Sequence, residues 1–312
     1  MKVCVIIPTL NEENFIGKLI DSIKKQSYKD VEIIVVDDGS TDRTKEICRS
    51  KKVKLLVNNP GRRGPAFGWN RAAKQTTAEI ICILGADFFL EDKNFIEKSI
   101  KAFDEKTAAV YNSYHTIQET WVEKALTSEY GVSMEPRFIR RKDFLEMGGF
   151  PEIGFGEDQV FIARLEKHLK KKGLNQKLVR EAFFSGHGVH TLQEMYKQAK
   201  WYGKTSIPFL AAFSKETTSF GFLKAVFSIY LRLAYFVSLA FLALSVFFPQ
   251  LFALGVPFIL ILLLLFVNSA FESISERNPF KILKPFMFLV FGLGMLHGFL
   301  LRILAIDRKM GG

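Results

Sequence analysis

Two aspartates stand side by side where an apolar run ends, in the stretch VEIIVVDDGSTDRT at residues 31–44. A β-branched run of this kind reads as a buried parallel strand, which delivers Asp37 and Asp38 to its carboxyl end. Gly39 permits a tight turn there, and Ser40, Thr41 or Asp42 can cap a following helix that carries Lys45, Glu46 and Ile47. Two adjacent carboxylates exceed what a helix cap needs, and an open α/β sheet binds ligands beyond the carboxyl ends of its strands. Three further stretches hold the other candidates: Asp87 in Gly85-Ala86-Asp87, Glu157 and Asp158 in FGEDQVFIARL, and His187 and His190 in a glycine-rich turn. All are expected to face that same crevice.

The elements that must position them alternate. A first strand at 2–7 is stopped by Pro8, which lacks a backbone donor. A helix follows, with Phe15, Ile16, Leu19, Ile20 and Ile23 at helical spacing and Asn11 or Thr9 as cap. After the aspartate strand come its helix, a strand at 53–57, a loop at 58–68, a helix at 69–75 and a fourth strand at 79–84. This alternation is the signature of a doubly wound parallel sheet. Further on, the spacing predicts a helix over 94–103, a strand over 108–114, a helix over 121–130 and a strand over 138–140. A helix then opens near Glu157 and Asp158 and ends at Gly173, and another covers 192–202.

Composition divides the chain. Up to about residue 206 charged and apolar residues alternate, whereas 227–306 is dominated by Leu, Phe, Val and Ile. Three segments there, 227–248, 251–271 and 286–306, approach the roughly 20 residues that cross a bilayer. Arg277, Lys281 and Lys284 in the second connection put it on the cytoplasmic side, and Arg308 and Lys309 pull the tail inward as well. Gly292, Gly294 and Gly298 leave the last segment open to a re-entrant or tightly packed form. The net charge of +11 suits an anionic membrane surface or a polyanionic substrate such as a nucleotide diphosphate. No nucleic-acid motif accompanies it. Cys4, Cys48 and Cys82 lack metal-ligand spacing and read as reduced, buried thiols. The first apolar run is too short for a signal peptide, so the soluble part is expected in the cytoplasm.

In the order IIPTLNEE, IVVDDGSTD, Asp87 and FGEDQVFIARL, the chain resembles the family 2 glycosyltransferases of the GT-A fold over about residues 1–202. Those enzymes transfer a sugar from a nucleotide sugar with inversion at the anomeric carbon. The resemblance implies a cytoplasmic, Rossmann-like GT-A domain at 1–206, mostly parallel in its sheet, ending in an interfacial helix. An all-α transmembrane region follows at 207–312. By the family pattern Pro8, Thr9, Glu12, Asp37 and Asp38 hold the nucleotide, with Arg62, Arg63, Asn70 and Ala86 at the nucleotide or diphosphate.

The family's DXD-type motif corresponds to Gly85-Ala86-Asp87. Its first acid is missing, which leaves Asp87 to bind Mg2+ or Mn2+, with His190 or alternatively His187 completing the site. Asp158 falls at the catalytic base and Glu157 beside it at the acceptor, where Arg164 supports the substrate or pairs with Glu157. KQAKWYG at 197–203 resembles a degenerate Gln-x-x-Arg-Trp motif, in which Lys200 and Trp201 meet the acceptor. The expected activity is transfer to a hydroxyl of a lipid-linked acceptor at the cytoplasmic membrane face, in the cell envelope. A phosphate acceptor is already an anion and needs no base, so a polyprenyl-phosphate glycosyl synthase ranks second. A non-catalytic nucleotide-sugar-binding membrane protein stands third.

Overall fold

The computed structural model describes residues 1–58 and 63–303, with the backbone alone for 228–237. Arg62, Arg308 and Lys309 lie outside the described residues, as does the end of the segment predicted over 286–306. The described residues form two compact units. One comprises Met1–Thr116 and Tyr130–His187, and the other Ile117–Glu129 with the residues from Gly188 onward.

The first unit opens with β1 (Val3–Thr9), α1 (Ile16–Lys24), β2 (Val31–Asp37), α2 (Thr44–Ser50), β3 (Lys54–Val57), α3 (Pro65–Gln75) and β4 (Ile80–Ile83). β1 pairs in parallel with both β2 and β4, and β2 with β3, so the expected doubly wound half is present. Val3, Val5 and Ile7 point to one face, against Ile16, Leu19, Ile20 and Ile23 of α1. Cys4, Ile6, Ile34 and Val36 point to the other, against Ala66, Ala72 and Ala73 of α3. Both faces are covered, which is why these strands read as unbroken apolar runs. All three cysteines are free and buried. Burial pushes the Cys4 thiol up to about 12 and the Cys48 thiol up to about 11, which leaves them inert.

Beyond β4 the sheet changes character. β5 (Phe88–Phe89), α4 (Phe95–Lys101) and β6 (Thr107–Ile117) come next, and α5 (Trp121–Leu126) belongs to the second unit. Then follow β7 (Tyr130–Val132), β8 (Phe138–Arg140), α6 (Arg141–Glu146), α7 (Glu157–Lys172) and β9 (Asn175–His187). The strand order is β3-β2-β1-β4-β8-β6-β9-β5, with β7 beside β6. The pairs β4–β8, β6–β8, β6–β7 and β5–β9 are antiparallel. The sheet is therefore mixed rather than parallel throughout. The helix expected over 121–130 ends at Leu126, and its last residue starts β7 instead.

The expected caps also differ. The N-caps of α1 and α2 are Phe15 and Arg43, and neither makes a side-chain capping bond. Asp42, one residue before Arg43, still accepts the N–H of Thr44, the first residue of α2 (3.0 Å), while Asn11 and Ser40 are used elsewhere, as shown below.

The second unit is helical: α8 (Leu192–Phe213), α9 (Ser219–Leu244), α10 (Phe252–Ser275) and α11 (Lys284–Ile303). α8 runs eleven residues past the helix expected to end at 202. Gly203 of α8 and Gly294 and Gly298 of α11 let the two backbones touch. A Cβ at Gly294 would sit 2.6 Å from the Tyr196 carbonyl oxygen, and one at Gly298 would overlap that of Lys200. Small residues permit this close approach. Of the two forms left open for the last segment, the structure adopts the tightly packed one. Among the described residues, Pro249–Ser275 and Pro279–Ile303 are long and apolar enough to cross a bilayer. The segment expected at 227–248 falls mostly on α9.

Candidate active site

The carboxyl ends of β1 and β2 are stitched together by side chains. Asn11, at φ 59°, donates its backbone N–H to Ser40 Oγ (2.9 Å), and its Oδ1 accepts from the Thr41 N–H (2.9 Å). The Glu12 N–H donates to Thr44 Oγ1 (2.8 Å), and the Glu13 N–H to Asp42 Oδ2 (3.1 Å). The residues that read as helix caps thus tie two loops side by side.

Asp37 is buried, and its Oδ1 accepts from the N–H groups of Gly39 (3.2 Å) and Ser40 (3.1 Å). Its Oδ2 and the hydroxyl of Thr9, its register partner, are buried without a hydrogen bond. Asp38 accepts from Asn58 Nδ2 and from the Gly64 N–H, both at 2.8 Å. Asn58 in turn accepts from Arg71 Nη1 (2.5 Å). Pro8 packs on α3 at Gly68, where an added Cβ would lie 3.0 Å away.

Asp87 follows β4 in the turn closed by the Phe88 N–H to Gly85 O bond (3.3 Å), behind the buried Ala86. A Cβ at Gly85 would approach Asp87 Oδ1 to 2.7 Å. A side chain at Gly85, where the DXD motif has its first acid, would therefore displace the Asp87 carboxylate. Burial and then the charges of Asp87 and Asp42 push the Glu12 carboxyl up to about 7. Two hard oxygen donors whose charges act on each other, Glu12 and Asp87, fit a divalent cation such as Mg2+ or Mn2+.

Glu157 and Asp158 start α7 behind Gly156, which sits at φ 78°. Both are largely buried. Burial, then Asp158 and Glu135, push the Glu157 carboxyl up to about 7. Burial and Glu135 raise Asp158 too, opposed by backbone N–H groups at the helix start and by Arg137. The acids are held there through Asn70, whose amide donates to Phe150 O (2.8 Å) and accepts from the Phe150 N–H (2.9 Å). Gly149, at φ 71°, has no room for a Cβ against that amide. Asn70, expected at the diphosphate, clamps the turn before α7. Arg63 pairs with Glu152 (3.2 Å), and its guanidinium lies 3.6 Å above the Phe67 ring. Arg164 Nη1 reaches the Gly149 carbonyl at 3.5 Å.

The sequence reading missed Glu135 and Arg137. The Arg137 guanidinium is buried, 2.7 Å from Glu135 and 3.4 Å from the carbonyl of Ile83, the last residue of β4. It also stands over the rings of Phe88 (5.2 Å) and Phe184 (4.8 Å). A buried ion pair so close to Asp158 shapes its charge. The only trace in sequence is a Glu-Pro-Arg before a short strand.

The two histidines have different surroundings. His187 ends β9 between the rings of Phe15 (5.7 Å) and Phe89 (5.9 Å). His190, in the second unit, has Nδ1 3.3 Å from the buried Glu123 carboxylate. Burial works against ionisation of Glu123. The N–H groups of Thr120, Glu119 and Gly188, together with His190, prevail and hold it below its usual value. Lys200 and Trp201 lie on α8, with Trp201 39% exposed. A further group, Asp143, Glu146 and His168, is closed by His168 Nε2 on Asp143 (2.7 Å) and by Lys172 on Glu146.

Parallel strands with acids at their carboxyl ends, extended by antiparallel strands that carry a second acid pair to a helix start, form a GT-A-type fold. The chain belongs to glycosyl transferase family 2, whose model matches residues 4–171, and it is a glycosyltransferase. It is 28% identical over 239 residues to the GalNAc(5)-diNAcBac-PP-undecaprenol beta-1,3-glucosyltransferase of Campylobacter jejuni, over 74% of this chain and 71% of that protein. To the poly(ribitol-phosphate) beta-N-acetylglucosaminyltransferase TarS of Staphylococcus aureus it is 32% identical over 187 residues. That match covers 53% of this chain and about a third (32%) of TarS. Among solved structures, the mannosyltransferase PcManGT from Pyrobaculum calidifontis, in complex with GDP-Man and Mn2+, matches with a TM-score of 0.56 at 16% identity. It covers 99% of this chain and 88% of that one. Glucosyl-3-phosphoglycerate synthase from Mycobacterium tuberculosis, with Mn2+ and UDP-glucose, matches with a TM-score of 0.50 at 19% identity, over 68% of this chain and 79% of that one. At these identities the structural likeness establishes the fold alone.

Proposed function

We propose that the protein is a membrane-anchored inverting glycosyltransferase that moves a sugar from a nucleotide sugar to a hydroxyl of a lipid-linked acceptor at the cytoplasmic face. The observation that carries the reading is Asp158: a largely buried carboxyl at a helix start, raised by burial and by Glu135 yet held near an Arg137 guanidinium. A raised carboxyl is a better proton acceptor than an exposed one, as a general base requires. Asp158 takes the proton of the acceptor hydroxyl while that oxygen attacks the anomeric carbon. The bond to the diphosphate breaks on the opposite face, which inverts the centre. Glu157 lines the acceptor side.

On the donor side, Pro8, Thr9, Glu12, Asp37 and Asp38 surround the nucleotide, with Arg63 and Ala86 toward the diphosphate. Thr9 Oγ1 and Asp37 Oδ2, buried without partners, support a ligand there. Asp87, with Glu12 beside it, would hold Mg2+ or Mn2+, which supplies positive charge to the diphosphate leaving group when bound. The Campylobacter relative's undecaprenol-linked acceptor and the two apolar helices support a lipid-linked acceptor. Arg277, between those spans, and Lys281 and Lys284, at the start of the second, support the cytoplasmic face. Lys200 and Trp201 meet the acceptor at the membrane edge.

The test is nucleotide release from a panel of nucleotide sugars by the full-length protein in detergent, with Mn2+ or Mg2+ and membrane lipid extract. Lipid-dependent release that Asp158→Asn abolishes supports the reading. Release that survives Asp158→Asn replaces the hydroxyl acceptor with a phosphate. No release, with nucleotide still bound in calorimetry, overturns catalysis altogether.

A further inference from the structure

A cavity of about 580 Å3 opens in the first unit between β6, β7 and β9. Its volume lies within the range of small-ligand sites. One wall is an aromatic platform: Tyr130, paired in register with His115, stacks on its ring at 4.9 Å and 18°, and is itself 71% exposed. Phe183 adds a second, part-exposed ring, and Arg180 and Glu91 place a guanidinium and a carboxylate at the rim. The platform is braced from beneath: His115 Nδ1 lies 3.3 Å from Ser185 Oγ, which donates to Glu91 Oε2 at 3.2 Å.

Two observations bear on what the cavity takes. In the strand order, β6 and β9 lie at the opposite end from β1 and β2, so the donor nucleotide is placed elsewhere. The cavity lies on the strand face that packs against α7, whose first turn carries Asp158: Ala109 of β6 clusters with Phe161 and Leu165. Ala109, Tyr111, Ser113 and His115 alternate onto one side of β6, and at about 3.3 Å per residue the distance along the strand from Tyr111 to His115 is about 13 Å. Tyr111 feels the charge of Glu135, as Asp158 does. A ligand running along that face from Asp158 would reach Tyr130 after one or two sugar units. A pyranose has an apolar C–H face that covers an aromatic ring and a rim of hydroxyls that bonds carboxylate and guanidinium, which matches this lining.

We infer that this cavity is a glycan subsite, holding a sugar of the acceptor one or two units away from the one that is glycosylated. The inference rests on the proposed transfer to a lipid-linked glycan, and its test is read without turnover. The full-length protein in detergent, without nucleotide sugar, is mixed with methyl glycosides of di- and trisaccharides built from hexoses and N-acetylhexosamines. Saturation-transfer NMR then reports which ring protons meet the protein. At least one glycoside is expected to bind through the C–H face of one ring. Its Kd should rise about tenfold in Tyr130→Ala and recover in Tyr130→Phe. Arg180→Ala, which leaves the platform intact, should weaken the same glycoside.

Binding that ignores both Tyr130 and Arg180, or no binding by the wild type, overturns the subsite. Glycoside binding that needs Tyr130, in a protein that releases no nucleotide with lipid extract, would sink the transferase reading and leave the subsite standing.

Discussion

Two adjacent acid pairs sit in this protein, Asp37-Asp38 after β2 and Glu157-Asp158 at the start of α7, and the fold treats them in opposite ways. Around the first pair three carboxylate oxygens already accept hydrogen bonds, from Gly39, Ser40, Asn58 and Gly64. Around the second, burial and the neighbouring Glu135 disfavour charge on both carboxyls. The difference teaches that acid pairs alike in sequence separate by their donors. One whose donors are spread over neighbouring loops organises them, while one whose helix-start N–H groups are outweighed by burial and a neighbouring acid is poised to exchange protons.

Substitutions can break that contrast. The largest effect is expected from Asp158→Asn, which should lower lipid-dependent transfer by about 10²- to 10⁴-fold, the usual share of a general base, with the thermal midpoint in detergent nearly unchanged. A midpoint that falls with the activity would put Asp158 among the structural acids.

Next is Arg137→Ala. It leaves Glu135 buried without its partner and should cost about 3–5 kcal/mol of stability. Arg137 lowers the Asp158 carboxyl, so its loss raises that group further. The acid limb of the transfer profile should then move to higher pH, which a pH–rate curve of a folded Arg137→Gln variant checks, with Arg137→Lys, which keeps the charge, expected to leave it nearer the wild type.

Asp38→Ala strips acceptors from Asn58 and the Gly64 N–H and should cost about 2–3 kcal/mol, read in denaturant, without moving the pH profile. A shifted profile would erase the distinction between the pairs.

The smallest effect concerns Glu157. Its folded carboxyl is raised from 4.5 to about 7, so its neutral form stabilises the fold fully below the ordinary value, and that contribution is lost as pH rises through about 7. Glu157→Gln should therefore be more stable than the wild type above pH 7, by on the order of 2 kcal/mol, and should converge on it toward pH 4. Equal pH dependence of the two proteins would show that Glu157 is charged in the fold without penalty.

Much of this was legible in sequence where a residue type has one local meaning. The apolar strands covered on both faces, the helical faces of Ile16 and Leu19, and Gly173 as helix terminator follow from short-range sterics and periodicity. β9 was not legible, because Leu178, Val179, Ala182, Phe183 and Phe184 do not alternate with period two. Its burial is set by neighbours on both sides rather than by one wet face. Asn70 looked like a ligand residue because an amide serves either purpose. Only the fold brings the Phe150 backbone to both its ends.

By itself the sequence determined the family, the order of the acids along the chain and the change from a mixed-polarity part to an apolar one. Each of these is carried by residue identity and local spacing. Tertiary structure alone decided which acids are satisfied and which are strained, that Arg137 stands with Glu135 beside Asp158, and that Tyr130 stacks on His115 over a cavity. Those outcomes depend on desolvation and on charges contributed by segments distant in the chain, and such quantities exist only once the strands have found their order.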